Sequence, residues 1–394
     1  MIRLSHLGIL GDEGLRLFFP LAALHAIVWP LLWTGGHGLG MPVAGQIPPS
    51  AWHAGEMLFG TYGAALLGFI TTAVPEWTDT PPLRRRPLFL LAGSWGIGRL
   101  AGFVGSDLLA VAGGVADILW LGALVVYCAA CWRSKPSARL FGPLFWLILL
   151  TIAGAVTRSA FMAGSGALAQ KGLLISGLLF VGLLGLVLAR VTVPVTNMVL
   201  DPSRETTPFR PHPGRLNLAP GLVLVAVGGI LAGWSQAVTG FLLVAAGAAF
   251  LDRMADSFVG RETFRAEILA LMGASLLSGL GLILAGAARL GAPLPEIPAL
   301  HLAFIGGLGL GVLAVFSIAS LMHTGRTLPV PRAVPLALGL AVAAVILRTL
   351  PPLGLVPWPP GPAHLPAAIL WSAAFLVWLR AYWPVLSTPR PEGT

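Results

Sequence analysis

Three kinds of side chain in this sequence could do chemistry in an apolar setting: imidazoles, carboxylates and guanidiniums standing inside long uncharged runs. The stretch 52–78, WHAGEMLFGTYGAALLGFITTAVPEWT, carries the densest group. His53 and Glu56 are three residues apart, so a helix places them on one face. The residues after them are apolar, rich in small side chains and long enough to cross a bilayer. A histidine and a carboxylate at the mouth of a membrane helix are costly. A metal, a haem, a proton path or a polar network would offset that cost.

Three further histidines fall in or at apolar runs: His25 near the middle of the first, and His301 and His323 at the two ends of a later one. His301 and His323 are 22 positions apart, or about 33 Å along a helix, and cannot hold one ion. His53 and His301 both stand at helix ends on the same predicted side. Imidazole is a common ligand of haem iron and copper, so this pair is a candidate clamp, with His25 a deeper candidate. The alternative is that each ring only hydrogen-bonds a neighbouring helix. His6, His37, His212 and His364 fall in predicted loops and read as solvated.

Arg99, Arg158 and Arg348 also lie within apolar runs. A guanidinium there needs an anion. Its two-pronged geometry suits the two carboxylates of a haem, or protein carboxylates such as Glu56 and Asp117. Snorkelling to the interface is the third reading. Asp117 reads either as an arginine's partner or as a proton relay.

The elements that position these groups follow from composition. The chain has 394 residues, 56% hydrophobic and 10% charged, where a soluble domain carries roughly 25% charged. It reads as an all-α, polytopic integral membrane protein. Twelve spans are expected near 15–34, 53–75, 88–106, 108–131, 140–162, 168–190, 218–234, 237–252, 266–288, 298–321, 333–350 and 365–384. With the N-terminus inside, 19 of the 24 basic residues face the cytoplasm, which sets both termini there. The net charge of +9 therefore follows the membrane and excludes a nucleic-acid partner. Residues 1–190 hold six spans, 191–217 form a proline-rich cytoplasmic loop, and 218–394 hold six more. A six-plus-six layout suits a transporter, although no repeat links the halves. Cys128 and Cys131, spaced CxxC at a helix end, read as free thiols. The N-terminus lacks a cleavable leader pattern, so the first span is expected to direct insertion.

Several motifs resemble the NnrS family. They are LFFPLAALHAIVWPLLW at 17–33, WHAGEMLFG at 52–60, GFITTAVPEWT at 68–78, GRLAG at 98–102 and ALHLAFIGGLGLGVLAVFSIASLMHTGR at 299–326. The resemblance implies a twelve-span bacterial inner-membrane protein containing haem and copper, tied to nitric oxide metabolism and tolerance of nitrosative stress. It implies roles for His53, Glu56, Arg99, His301, His323 and Arg326, with His53, Glu56 and His323 as metal ligands and Arg99 beside the haem; Arg158 is a candidate for the haem carboxylates from its place in an apolar run alone. The family usually reads Trp-His-Ala-His-Glu at the second span, where this chain has Gly55. If the family's histidines bind copper, part of that site is lost here.

Three functions follow. The first is a haem protein that binds or processes nitric oxide or a similar small gas, drawing electrons for any turnover from quinol or a respiratory-chain protein. The second is an accessory or metal-handling protein for a respiratory complex. The third is a transporter.

Overall fold

The computed structural model describes residues 8–39, 48–104 and 107–391, with the side chains of 37–39, 101–104 and 107 excepted. His6 lies outside these residues, as does the side chain of His37. In lipid every backbone N–H and C=O must be satisfied within its own segment, and the long apolar runs do this as helices. Twelve long helices result among the described residues: α1 Gly14–Leu39, α2 Pro49–Thr78, α3 Arg86–Val104, α4 Asp107–Ser134, α5 Ala138–Met162, α6 Gly166–Leu200, α7 Leu218–Leu231, α8 Gln236–Arg253, α9 Ala266–Arg289, α10 Glu296–His323, α11 Ala333–Thr349 and α12 Leu365–Leu386. Among the described residues ten segments are long and apolar enough to cross a membrane, α7 counting with the short turn before it as Pro213–Leu231, and α3 and the 17-residue α11 stand where the other two spans were expected. No strand occurs among the described residues. The protein is an all-α, multi-pass membrane protein.

Two helices outrun their expected ends. α6 continues to Leu200 with Pro194 inside it, so the loop that follows covers 201–217 rather than 191–217. Membrane helices tolerate an internal proline that would end a soluble one. α1 passes through His37 to Leu39, with Pro20 and Pro30 inside. Residues 351–364 are non-helical, as their prolines require.

The chain forms two compact units, residues 1–177 with 382–394, and residues 178–381. In the first, α1 packs on α2 closely enough that a Cβ at Gly68 would stand 2.7 Å from the Phe19 ring. The buried Arg16 donates to the carbonyls of Leu386 at 2.8 Å and Thr388 at 2.7 Å, fastening the end of α12 to the start of α1. In the second, α8 and α9 meet through paired glycines. A Cβ at Gly247 would come within 2.5 Å of the Gly279 carbonyl, and one at Gly286 within 2.5 Å of the Gly240 carbonyl. Small residues let membrane helices approach backbone to backbone in this way.

Candidate functional site: a buried ion network

The site in the first unit begins with a fault in a helix. α2 changes at Glu56 from α to π geometry and returns at Gly63, so Glu56–Tyr62 is a π turn. Trp95 on α3 docks on this turn, its indole N–H donating to Phe59 O at 3.2 Å and Gly60 O at 3.0 Å, the latter also accepting from Gly63 N–H. Gly60 permits the approach on the other side: a Cβ there would lie 2.4 Å from His25 Cε1 and 2.9 Å from Arg99 Nη1.

Around this turn, α1 to α5 each contribute one ionisable side chain. His25 on α1 places Nδ1 2.9 Å from Thr61 Oγ1 and Nε2 3.2 Å from Glu56 Oε2. Arg99 Nη1 on α3 lies 3.1 Å from the same Glu56 oxygen. Arg99 Nη2 reaches Asp117 on α4 at 2.6 Å and 2.7 Å, one contact to each carboxylate oxygen. Arg158 on α5 donates its Nη2 to Asp117 Oδ2, and Trp120 Nε1 donates to Oδ1 at 3.0 Å. Glu56, Asp117, Arg99 and Arg158 are all buried. Two guanidiniums face two carboxylates, so the formal charges cancel with no charge on His25.

Aromatic rings shelter the cations. Arg99 stands over Trp95 at 5.9 Å, and Arg158 over Trp52 at 5.9 Å and Phe59 at 5.7 Å. Such contacts contribute most where water is excluded. Removing one partner of a buried, paired charge typically costs about 3–5 kcal/mol. The network therefore acts as a cross-brace through the interior of the five-helix unit.

His25 and Glu56, expected as a haem ligand and a metal ligand, are thus joined to each other. Arg99 and Arg158 meet protein carboxylates, the second of the readings their sequence positions allowed. Asp117 is the arginines' shared partner. Arg348, half-buried near the end of α11, has no carboxylate partner among the described residues. His53 lies one turn before the network, half-buried, its ring stacked on Trp33 of α1 at 4.8 Å and 18°. Thr61, Trp95, Trp120 and Gly60 were not anticipated. The one sequence signal for them was the run of small residues, Gly55, Gly60 and Gly63, beside a buried carboxylate.

The second unit repeats part of this pattern. His301 on α10 is followed directly by a second π turn, Leu302–Gly307. Here too glycine meets a neighbour closely, a Cβ at Gly307 falling 2.1 Å from Ser278 Oγ of α9. His323 closes α10 at its other end, half-buried, as expected. His53 belongs to the first unit and His301 to the second. Cys128 and Cys131 are buried free thiols. Among the described residues no three His, Cys, Asp or Glu side chains gather as a metal-holding group.

The helices and their buried, charge-balanced network define the class: a polytopic α-helical membrane protein with a polar interior site. A family model described as NnrS protein matches residues 10–390. The chain belongs to the NnrS family. It matches no curated protein.

Proposed function

We propose that this protein holds a haem through a signature histidine, His53 or His301, and uses it to bind or process nitric oxide within the bacterial inner membrane. The observation that carries this reading is the placement of the two histidines. Each stands in a spanning helix just ahead of a π turn, Glu56–Tyr62 after His53 and Leu302–Gly307 after His301. Single π turns inside α-helices occur frequently at functional sites. Membership of the NnrS family, tied to the nitric oxide response, supports the choice of ligand. An apolar gas also concentrates in lipid, where these helices lie.

The fit differs from residue to residue. His25, Arg99 and Arg158 do not fit a haem, because both ring nitrogens of His25, both outer nitrogens of Arg99 and Nη2 of Arg158 face protein partners. His53 and His301 fit a single axial ligand, each half-buried in an apolar helix. A haem held by one imidazole supplies an open iron face for a diatomic ligand. The chain's own part is to orient and to exclude water. Trp33 fixes the plane of the His53 ring, and the ion network holds α2 against α1 and α3 directly below it. Copper does not fit the described residues: Gly55 stands where the family has a histidine, and Glu56 Oε2 faces His25 and Arg99.

Purification of the full-length protein in mild detergent, with haem supplied during expression, tests the reading. Wild type should show a haem absorption band, and His53→Ala or His301→Ala should lose it while remaining folded. Haem-free wild type, or a full band in both variants, overturns it.

A further inference from the structure

One end of the first unit is strongly and unevenly charged. It comprises residues 8–16, 76–86, 131–139 and 386–391, drawn together by several contacts. Arg85 N donates to Gly11 O at 2.5 Å, Lys135 Nζ to Asp79 O at 2.7 Å and Thr80 Oγ1 to Cys131 Sγ at 3.6 Å. These segments hold eight basic side chains and four acidic ones. The acids are partly used: Asp79 pairs with Lys135, and Glu13 with Arg16 and Arg390. Arg84, Arg85, Arg86 and Arg133 are exposed and have no carboxylate partner among the described residues. At the opposite end of the unit, Lys171 is the one exposed basic residue whose side chain is described.

Beside the four arginines stand outward-facing aromatic rings. Phe89 lies one turn into α3, Trp132 in the last turn of α4 and Phe141 in the first turn of α5, with exposures of 40%, 39% and 64%. An aromatic ring at a helix end beside a cation is the pattern of the membrane interface, the ring at headgroup depth and the charge just beyond it. Guanidinium forks match phosphate oxygens in a two-pronged way, and clustered basic residues next to a membrane helix attract anionic lipid.

We propose that this end of the first unit is a binding surface for anionic phospholipid. Arg84, Arg85, Arg86 and Arg133 meet the phosphate group, and Phe89, Trp132 and Phe141 lie against the acyl chains. Charge complementarity selects this occupant, since the four cations stand exposed with no carboxylate partner among the described residues.

The full-length protein, reconstituted in phosphatidylcholine vesicles containing phosphatidylglycerol, is re-extracted and its retained lipid counted by native mass spectrometry. Wild type should hold phosphatidylglycerol in preference to phosphatidylcholine, and free inorganic phosphate should not displace it. The variant R84Q/R85Q/R86Q/R133Q should lose that preference by about tenfold or more, whereas R84K/R85K/R86K/R133K, which keeps the charge and hence the insertion signal, should retain most of it. Equal retention of the two lipids by wild type overturns the proposal and leaves the surface to an acidic protein. Unchanged retention in the glutamine variant, or displacement by phosphate alone, overturns it as well.

Discussion

Glu56 Oε2 lies 3.2 Å from His25 Nε2 and 3.1 Å from Arg99 Nη1. One carboxylate oxygen on α2 thereby ties α1 to α3, and Arg99 carries the tie on to Asp117 and α4. Glu56→Gln keeps the shape and removes one negative charge, leaving two guanidiniums to share Asp117. An unbalanced buried charge of this kind costs about 3–5 kcal/mol. The thermal unfolding midpoint in detergent should fall markedly, and the double variant Glu56→Gln, Arg99→Gln should recover part of the loss. Strict additivity of the two single effects would show that the pair does not interact.

Arg99→Leu separates bracing from cofactor binding. It leaves Asp117 with Arg158 alone and should lower stability, while easing insertion of α3. Because Arg99 faces protein carboxylates, haem per folded molecule should stay at the wild-type value. Arg99→Lys should restore only part of the stability, since an ammonium cannot span both Asp117 oxygens. A fall in haem per folded molecule would reinstate a haem carboxylate as the partner of Arg99.

The glycines of α2 are predicted to differ sharply. A Cβ at Gly60 would stand 2.4 Å from His25 Cε1, whereas one at Gly55 meets nothing nearer than 3.9 Å. Gly60→Ala must displace His25 or Arg99 and should destabilise by about 1–3 kcal/mol, the usual range for overpacking. Gly55→Ala should be neutral or mildly stabilising, because alanine is favoured over glycine within a helix. Equal midpoints for the two variants would argue against the close approach at the π turn.

Orientation is testable with single cysteines, since Cys128 and Cys131 are buried. The bias of basic residues puts the 201–217 loop inside and the α5–α6 turn outside. A membrane-impermeant thiol reagent applied to intact cells should label Ala163→Cys and spare Pro211→Cys, both positions being exposed. The reverse pattern would invert the topology.

The helices were legible because length and apolarity decide them, and all twelve lie within a few residues of expectation apart from α1, which runs on through Gly35 and Gly36, and α6, where proline misled. Pro194 reads as a breaker only if water is the solvent. The site was legible by residue type. His25, Glu56, Arg99, Asp117 and Arg158 all stood out as ionisable groups in apolar runs, but five single positions on five helices carry no information about which carboxylate meets which cation. That pairing depends on helix rotation. The π turns were hidden because a reading at 3.6 residues per turn assumes regular winding, and an inserted residue shifts every face beyond it. Thr61 and Trp95 enter the site through that shift.

Nitric oxide binding tests the account most directly. The purified, reduced, full-length protein is titrated with nitric oxide under anaerobic conditions while its absorption spectrum is recorded. The account predicts a haem band that shifts to a saturable nitrosyl form in wild type and in Arg99→Lys, and that is absent from the folded variant lacking the ligating histidine. A folded, haem-loaded protein whose spectrum does not change with nitric oxide would contradict it.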